Sequence, residues 1–209
     1  MLSFYAGKFP TVEINNTFYQ LPKEKTLLDW ASKVPEHFSF AIKASQRITH
    51  FGRLKPETGE LVDYLVNTLS ALGPRLGPIL FQLPPNMKRD MDRLRPFLER
   101  LPKGHRYAME FRHDSWFDDE MFDALREHDV AFVVSEQEDF STPVRATASW
   151  AYFRPHRLDY DEAGLRAWAD RVKSLGKEEN HVFFKHDYIP AGGAGPLAVE
   201  TFVNASRAR

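Results

Sequence analysis

The chain has 209 residues, 43% of them hydrophobic, and its 28 Lys and Arg against 29 Asp and Glu give a formal net charge of −1. This length predicts one large domain or two small ones with an ordinary core, and the near-neutral charge argues against a protein that coats nucleic acid by bulk electrostatics. The sequence contains no cysteine, which excludes disulfide frameworks, iron–sulfur clusters, cysteine zinc sites and thiol nucleophiles.

Seven short runs rich in Val, Ile, Phe and Tyr alternate along the chain with amphipathic segments. The runs have the length and composition of strands and lie at residues 11–14, 39–43, 79–82, 107–111, 131–135, 150–154 and 181–185. The segments between and after them predict helices at residues 24–33, 60–72, 89–100, 119–128, 161–175 and 196–205. Since nothing marks a linker, we expect a single α/β domain over residues 1–209 with a parallel sheet.

Two α/β architectures fit this alternation, an open doubly wound sheet and a closed barrel of the TIM type. The open sheet usually carries a glycine-rich first turn, G-x-G-x-x-G, which this sequence lacks. Polar residues instead follow nearly every predicted strand, as they do in barrels, where the carboxyl ends of the strands carry the site. The sequence therefore predicts a TIM-type (βα) barrel, with seven strands counted where such a barrel normally takes eight.

Alternation along each strand assigns the polar residues to one face. In residues 107–112 the small Ala108 is in phase with Glu110 and Arg112, while the large apolar residues take the opposite face. The same phase places a rim of polar residues at the mouth of the barrel: Glu13, Asn15, Lys43, Gln82, Glu110, Arg112, Arg154, His156, Lys185, His186 and Asp187. A structural ion-pair network is the alternative for any one of them, but such a network rarely needs so many groups at one end of a barrel.

Two familiar hydrolytic mechanisms find partial support in this rim. Glycosidases need two carboxyl groups about 5 to 9.5 Å apart, and Glu13 and Glu110 are the candidates. Metal-assisted hydrolysis would use the same carboxylates with His156 as ligands. No H-E-x-x-H spacing occurs, and the neighbouring cations would repel a metal ion, so no metal ligand is predicted and a divalent metal stays a minor alternative.

A metal-free site suits the mixed charges best. Lys43, Arg112 and Arg154 are predicted to bind a phosphate or a carboxylate of the substrate. Glu110 and His156, with Glu13 beside them, are the predicted proton-transfer residues. The sequence requires no cofactor for this chemistry.

Some residues near the strand ends are candidates to complete the pocket. Trp116 and Tyr19 are candidates to stack on a sugar or a base, and His50 is a candidate to cap the pocket. Each has a plainer alternative, because aromatic side chains more often belong to the core and a loop histidine is often at the surface. The predicted substrate-binding set also includes Asn15, Gln82, Lys185 and Asp187.

Several strings along the chain are more specific than its periodicity. They are T-V-E-I-N at 11–15, T-F-Y at 17–19, F-A-I-K at 40–43, I-T-H at 48–50, L-F-Q-L-P-P at 80–85, E-F-R-H at 110–113 and S-W at 115–116. On these strings, and over essentially its whole length, the chain resembles the YecE-like family, domain of unknown function seventy-two. The resemblance implies a TIM-type barrel and assigns it no activity; the relation to metal-dependent sugar-isomerase and endonuclease barrels is an analogy of fold.

Three departures from the family pattern bear on the site. Family members usually begin with a short strand and a Gly-Thr-Ser-Gly-Trp-like loop, whereas this chain begins inside the first helix and is truncated relative to the family. R-P-H-R at 154–157 stands where Arg-Leu-His-Gly is common, and K-H-D at 185–187 replaces an asparagine-rich ending. The first departure predicts either a barrel with a gap beside the strand at 11–14 or a start codon assigned too late.

The sequence leaves three functions open. The first is an enzyme, a hydrolase, lyase or isomerase, that binds a small anionic or sugar-like substrate at the carboxyl face of the barrel. The second is a nucleic-acid-binding or metal-dependent nuclease-like barrel, and the third is a binding protein without catalysis. The absence of a signal peptide and of any apolar stretch of membrane-spanning length predicts a cytoplasmic protein with no membrane partner. The oligomeric state is not predicted.

Overall fold

Seven parallel strands form the framework of the molecule. The computed structural model describes residues 2–157, 160–185 and 202–203. Within them each strand pairs with the next along the chain, in the order β1 to β7. The strands are β1 (Thr11–Ile14), β2 (Ser39–Lys43), β3 (Leu76–Gln82), β4 (Tyr107–Glu110), β5 (Ala131–Glu136), β6 (Ala151–Pro155) and β7 (Asn180–Val182). The sheet curls so far that Arg154 of β6 reaches Glu13 of β1, which confirms the predicted α/β, TIM-like architecture with seven strands.

Helices connect the strands and cover the outside of the sheet. They are α1 (Leu2–Ala6), α2 (Glu24–Ser32), α3 (Gly59–Leu69), α4 (Met91–Arg100), α5 (Asp119–Glu127) and α6 (Glu162–Ser174). The last three begin after Asp90, Asp118 and Asp161, whose carboxylates accept hydrogen bonds from first-turn backbone N–H groups. Of the helix predicted at 196–205, only residues 202–203 are described, and they are helical. No helix in the described ranges is long and apolar enough to span a membrane.

The two faces of the sheet bury different sets of side chains. Phe40 and Ile42 belong to a large cluster that also contains the buried side chains of the helices. Ala41, Ala108 and Tyr152 belong to a separate, smaller cluster on the inner face. This is the alternation that the strand pattern predicts. The inner-face residues Ala41 of β2 and Ala108 of β4 are small. The charged residues Lys43 and Glu110, which follow them on the same face, therefore have room at the carboxyl end of the sheet.

The third strand is longer than predicted, and its additional residues include a glycine and a proline. β3 begins at Leu76, three residues before the predicted start, and includes the Gly-Pro pair at 77–78. A Cβ atom on Gly77 would lie 2.2 Å from Ser39 Oγ, so the close approach of β2 requires glycine there. The pairing with β2 shifts between Phe40 and Ile42, a bulge that accommodates the proline.

The first and last strands leave their outer edges without a strand partner in the described part of the chain. β1 pairs with β2, and β7 pairs with β6. All four residues of β1 are partly exposed, whereas those of β4 and β6 are all buried. This is the place beside residues 11–14 where the sequence predicted a gap.

Candidate functional site

Arg154 lies at the centre of the carboxyl end of the sheet, between two carboxylates. Its Nη2 donates to Glu13 Oε1 at 2.8 Å, its Nε donates to Glu13 Oε2 at 3.0 Å, and its Nη1 donates to Glu110 Oε2. The Tyr152 hydroxyl donates to Glu13 Oε2 at 2.6 Å. Gln82 Oε1 accepts a longer hydrogen bond from Arg154 at 3.4 Å. The ends of β1, β3, β4 and β6 therefore meet at one guanidinium group.

The surroundings of Arg154 do not favour its predicted role of binding the anion of a substrate. Its relative exposure is only 2%, and each of its three nitrogens already donates to a protein oxygen. Gln82, which was also predicted to bind substrate, is buried beside it. A buried charge must be paired, and here the pairing groups come from the protein itself. Arg154 therefore positions Glu13 and Glu110, and does not contact the cavities described below.

Arg154 and Arg112 keep the two carboxylates of the inner face, Glu13 and Glu110 (the inner carboxylates), ionised. Burial by itself raises the pKa of Glu13, but the charge and hydrogen bonds of Arg154 outweigh it and lower that pKa. Burial also opposes ionisation of Glu110, but Arg154 and Arg112 lower its pKa to about 2. A carboxylate with such a low pKa is a poor proton acceptor near neutral pH. The geometry therefore does not favour the predicted proton-transfer role of either residue.

Arg112 is the cation that Glu110 holds at the wall of a cavity. Its Nε donates to Glu110 Oε1 at 2.7 Å, and its side chain is 22% exposed. Within the described residues, no hydrogen bond is formed by its two terminal nitrogens. Arg112 lines a cavity of about 380 Å³ together with His156, Lys185 and the loop residues 137–140. The loop after β5, which the sequence left irregular, thus contributes part of the wall.

A second cavity, of about 420 Å³, occupies the space between the edges of β1 and β7. Glu13 and Asn15 line it from the end of β1, and Asn15 Nδ2 donates to Glu13 Oε1 at 3.0 Å. Phe202 lines it from the helical residues 202–203. His156 and Lys185 line both cavities. In the described part of the chain, the space between these two strand edges therefore opens beside Glu13.

His156 follows β6 and is neutral at neutral pH. Burial, reinforced by the charge of Arg154, lowers the pKa of its imidazole to about 4. Its backbone N–H donates to Glu136 O at 2.8 Å, which holds the turn after β6 against β5. A neutral imidazole offers one donor and one acceptor nitrogen. Of the three predicted proton-transfer residues, His156 is the one that lies on the walls of both cavities.

Lys43 ends β2 in an unusual environment for a lysine. Its Nζ lies 4.2 Å from the centroid of the Phe18 ring, and no carboxylate of the described residues lies within ion-pair distance. Burial, followed by the charge of Arg154, lowers the pKa of Lys43 to about 8. The ring favours the protonated ammonium, so burial prevails over it. Thr17 Oγ1 donates to Lys43 O at 2.7 Å and holds the backbone of the strand end.

His50 shares the Phe18 ring with Lys43. It lies on a π-helical turn at Arg47–Phe51, and its ring meets Phe18 edge-on with centroids 4.8 Å apart. Its Nδ1 is 2.9 Å from Thr49 Oγ1. Burial, followed by the charge of Lys43, lowers the pKa of His50. Single π-helical turns occur frequently at functional sites, and this one places the His50 imidazole against the same Phe18 ring that Lys43 contacts.

The two predicted stacking residues have opposite environments. Tyr19 is 75% exposed, and its ring lies edge-on to Phe18 with centroids 5.0 Å apart. Trp116 is fully buried, its ring centroid is 4.8 Å from that of Phe111, and its Nε1 donates to Met87 O at 2.8 Å. Because Trp116 is fully buried and its N–H is bonded to Met87 O, its surroundings do not favour the predicted stacking on a ligand.

Two of the predicted site residues, His186 and Asp187, lie outside the described residues. Sequence reasoning missed Tyr152 and Phe18 as members of the site, although Tyr152 stands in phase with Arg154 on the same strand and the phase alone would have indicated it. The residues described include no group of three or more His, Asp or Glu arranged to hold a metal ion.

Comparisons with known proteins agree with the fold. "UPF0759 protein YecE" of Escherichia coli strain K12 is 35% identical over 117 residues, which cover 56% of this chain and 43% of that protein. The match thus spans less than half the length of this relative. The crystal structure of a DUF72 family protein from Enterococcus faecalis V583 has a TM-score of 0.81 at 18% identity, covering 98% of this chain and 93% of that one.

A more distant structure supports the barrel assignment. A mandelate racemase/muconate lactonizing enzyme-like protein from Rubrobacter xylanophilus has a TM-score of 0.52 at 12% identity, covering 88% of this chain and 47% of that one. At this identity the likeness concerns the fold alone. The family model described as "Protein of unknown function DUF72" matches residues 1–208. The resemblance inferred from the sequence strings is therefore confirmed, and the chain belongs to the DUF72 family.

Proposed function

We propose that the protein is an enzyme that binds a small anionic substrate, a phosphorylated or carboxylated sugar-like metabolite, at the carboxyl end of its sheet. The observation that carries the proposal is the presentation of Arg112. A buried carboxylate holds its Nε, while the rest of the guanidinium lines a cavity of about 380 Å³. A guanidinium fixed in this way binds carboxylate or phosphate oxygens through paired hydrogen bonds with little loss of side-chain freedom.

The charges around the cavity support an anionic ligand. The two inner carboxylates balance the two arginines that contact them. The cavity is lined by Arg112 and Lys185 together with the loop acids Glu138 and Asp139, and Glu138 is 3.9 Å from Arg157. Among the described lining residues, the terminal nitrogens of Arg112 form no hydrogen bond, and they are the positive groups that support an anionic ligand. A volume of about 400 Å³ is in the range of small-molecule sites.

Catalysis is proposed because His156 lies on the walls of both cavities. Its imidazole is neutral, and with a pKa of about 4 it is a weak proton acceptor in the free protein. An anionic substrate bound by Arg112 would raise the pKa of His156 toward neutrality, because a nearby negative charge favours the imidazolium. The bound substrate would thereby make His156 a stronger base.

The proposal is tested by calorimetric titration of the full chain with inorganic phosphate and with phosphorylated and carboxylated metabolites. We expect Arg112→Gln to weaken binding by roughly 10- to 100-fold, since hydrogen bonds to a charged group contribute about 1.5–3 kcal/mol. The matched control is Arg126→Gln, because Arg126 is an exposed arginine paired with Asp123 on α5 and lines neither cavity. Equal affinities of the two variants would refute the anion site.

The two alternative functions predict different results in the same experiments. A nucleic-acid-binding barrel would bind an oligonucleotide with an affinity that falls steeply with salt; the burial of Trp116 leaves Tyr19 as the exposed aromatic of the two on which that alternative rested. A binding protein without catalysis would bind its anion and convert no member of the metabolite panel.

A further inference from the structure

The amine of Lys43 has the surroundings of a nucleophile. We propose that Lys43 forms an imine with the carbonyl group of an aldehyde or ketone that also carries a phosphate or a carboxylate. The proposal rests on the proposed anion site, because Arg112 is the group that would hold the anionic end of such a substrate.

The first requirement of an amine nucleophile is a free lone pair. Lys43 has no carboxylate partner in the described ranges, and its Nζ rests on the Phe18 ring at 4.2 Å. Its pKa, lowered by burial and by Arg154 from 10.5 to about 8, leaves on the order of a hundredfold more free amine at neutral pH than an ordinary lysine has. By contrast, Lys33 is held by Asp29 at 2.6 Å on an exposed helix. Burial of a lysine is a common means of activating it for imine chemistry.

The second requirement is a group near the amine that moves protons. The His50 ring lies against the same Phe18 ring as Lys43 Nζ, the charge of Lys43 contributes to lowering the pKa of His50, and His50 Nδ1 is 2.9 Å from Thr49 Oγ1. The second nitrogen, Nε2, is therefore left to exchange a proton. The lowered pKa of His50 keeps the imidazole neutral at neutral pH, so it is able to accept one.

The chemical step balances without any further reactant. The lone pair of neutral Lys43 Nζ attacks the carbonyl carbon, and the carbonyl π electrons move to oxygen. His50, directly or through a water molecule, takes one N–H proton and returns it to that oxygen, which gives the neutral carbinolamine. The nitrogen lone pair then expels the hydroxyl, which leaves as water with the second N–H proton, carried by the same imidazole. The C=N bond replaces the C=O bond, and the net reaction is amine plus carbonyl compound giving imine plus water.

The test traps this imine by reduction. The full chain is incubated at neutral pH with pyruvate or with glyceraldehyde 3-phosphate and sodium cyanoborohydride, whose hydride adds to the imine carbon and leaves a stable secondary amine. Trypsin then cleaves at residues 33 and 47 but no longer at residue 43, so modification of Lys43 converts the peptide 34–43 into 34–47. We expect Lys43 to be labelled at least about tenfold faster than Lys33, the larger free-amine fraction being partly offset by lower intrinsic nucleophilicity.

Three variants separate the steps. Lys43→Arg keeps the charge and should abolish the 34–47 peptide. Peptide mapping of the wild-type protein identifies the labelled lysine by itself, so a variant that fails to fold does not prevent the test. His50→Gln should slow trapping at Lys43 by about tenfold or more, with Lys33 as the internal reference. Arg112→Gln should slow trapping by the anionic probes in proportion to its loss of phosphate binding.

The outcomes distinguish this inference from the proposed function. If phosphate binds through Arg112 but Lys43 is labelled no faster than Lys33, the imine is refuted and the anion site stands. If Lys43 is labelled selectively and Arg112→Gln changes nothing, the nucleophile stands and the anion site is refuted. If neither binding nor selective labelling occurs, both are wrong.

Discussion

Glu110 is a buried carboxylate that contacts two guanidinium groups, and it orders the rest of the site. One oxygen accepts from Arg154, which ties β4 to β6, and the other accepts from Arg112 at 2.7 Å. Because its own acid–base chemistry is suppressed, Glu110 acts by orienting Arg112 toward the cavity. A change in its protonation would therefore affect the fold and the ligand site together.

We expect the stability of the protein to fall steeply in acid because of this residue. Although burial opposes ionisation, Arg154 and Arg112 lower the pKa of Glu110 from an ordinary value of 4.5 to about 2 in the fold. A group whose pKa is lower when folded contributes stability above the unfolded pKa and loses it as pH falls toward the folded one. The contribution is on the order of 3 kcal/mol and should disappear between about pH 4.5 and pH 2. Urea unfolding measured across this range checks the expectation.

The matched control for this acid titration is Glu60→Gln, on the exposed side of α3. Its unfolding free energy should follow the wild-type curve through the same range. Glu110→Gln, by contrast, should show a shallower loss than the wild type, because the titrating carboxylate is gone. Parallel curves for wild type and Glu110→Gln would contradict the assignment.

At the scale of elements, β1 and β4 form a natural comparison. Both have four residues, but those of β1 are all partly exposed and those of β4 are all buried. β4 lies between β3 and β5, whereas β1 pairs with β2 on one side in the described part of the chain. An edge strand with exposed backbone opens locally at low free-energy cost.

We therefore expect the amides of residues 11–14 to exchange with deuterium at least about tenfold faster than those of residues 107–110. Hydrogen exchange of the full chain, followed by mass spectrometry or NMR, measures the two segments in one sample. The amides of β3, at the interior of the sheet, serve as a second reference. Equal protection of β1 and β4 would mean that another segment or a second molecule covers the edge.

Strand positions followed from the sequence where periodicity and composition agreed. β1 and β2 begin and end at the predicted residues. β3 was predicted too short because Gly77 and the proline after it indicate a turn, and only the close approach of Ser39 explains the glycine. β7 ends at Val182 and not at 185, yet Phe183 and Lys185 still donate backbone hydrogen bonds to β6. These differences come from neighbouring strands, which a single sequence does not display.

At the scale of the whole molecule, the sequence predicted which residues lie on the inner face of the sheet, but it did not predict which of them pair with one another. Strand phase brought Glu13, Lys43, Glu110 and Arg112 to the same end of the sheet. It did not indicate that Arg154 would be enclosed, because its partner Glu13 is 141 residues away in the chain. The burial of Trp116 likewise depends on Met87, from another βα unit. Contacts of this range are set by the curl of the sheet.

We expect removal of the guanidinium to destabilise the whole sheet. Arg154→Met leaves two buried carboxylates without their shared cation, which should cost about 3–5 kcal/mol of unfolding free energy at pH 7. Arg126→Met, which breaks an exposed pair with Asp123, should cost about 0–1 kcal/mol. Urea denaturation of both variants provides the measurement.

A further variant separates lost charge pairing from lost packing. Neutralising both carboxylates as well, in Glu13→Gln/Glu110→Gln/Arg154→Met, should recover part of the stability lost in Arg154→Met, because no unpaired buried charge remains. If Arg154→Met costs no more than Arg126→Met, the guanidinium does not hold the strands together.

The long separation between Glu13 and Arg154 also has a consequence during synthesis. A ribosome adds about 5–20 residues per second, so the 141 residues between the two partners take about 7 to 28 s to emerge. Throughout that time the Glu13 carboxylate lacks its partner Arg154, and the cavities beside it lack the walls that β6 and β7 provide. The ion pair between Glu13 and Arg154 therefore forms only after β6 has been synthesised. The proposed ligand site is accordingly assembled late, and its formation reports that the chain has folded through β6.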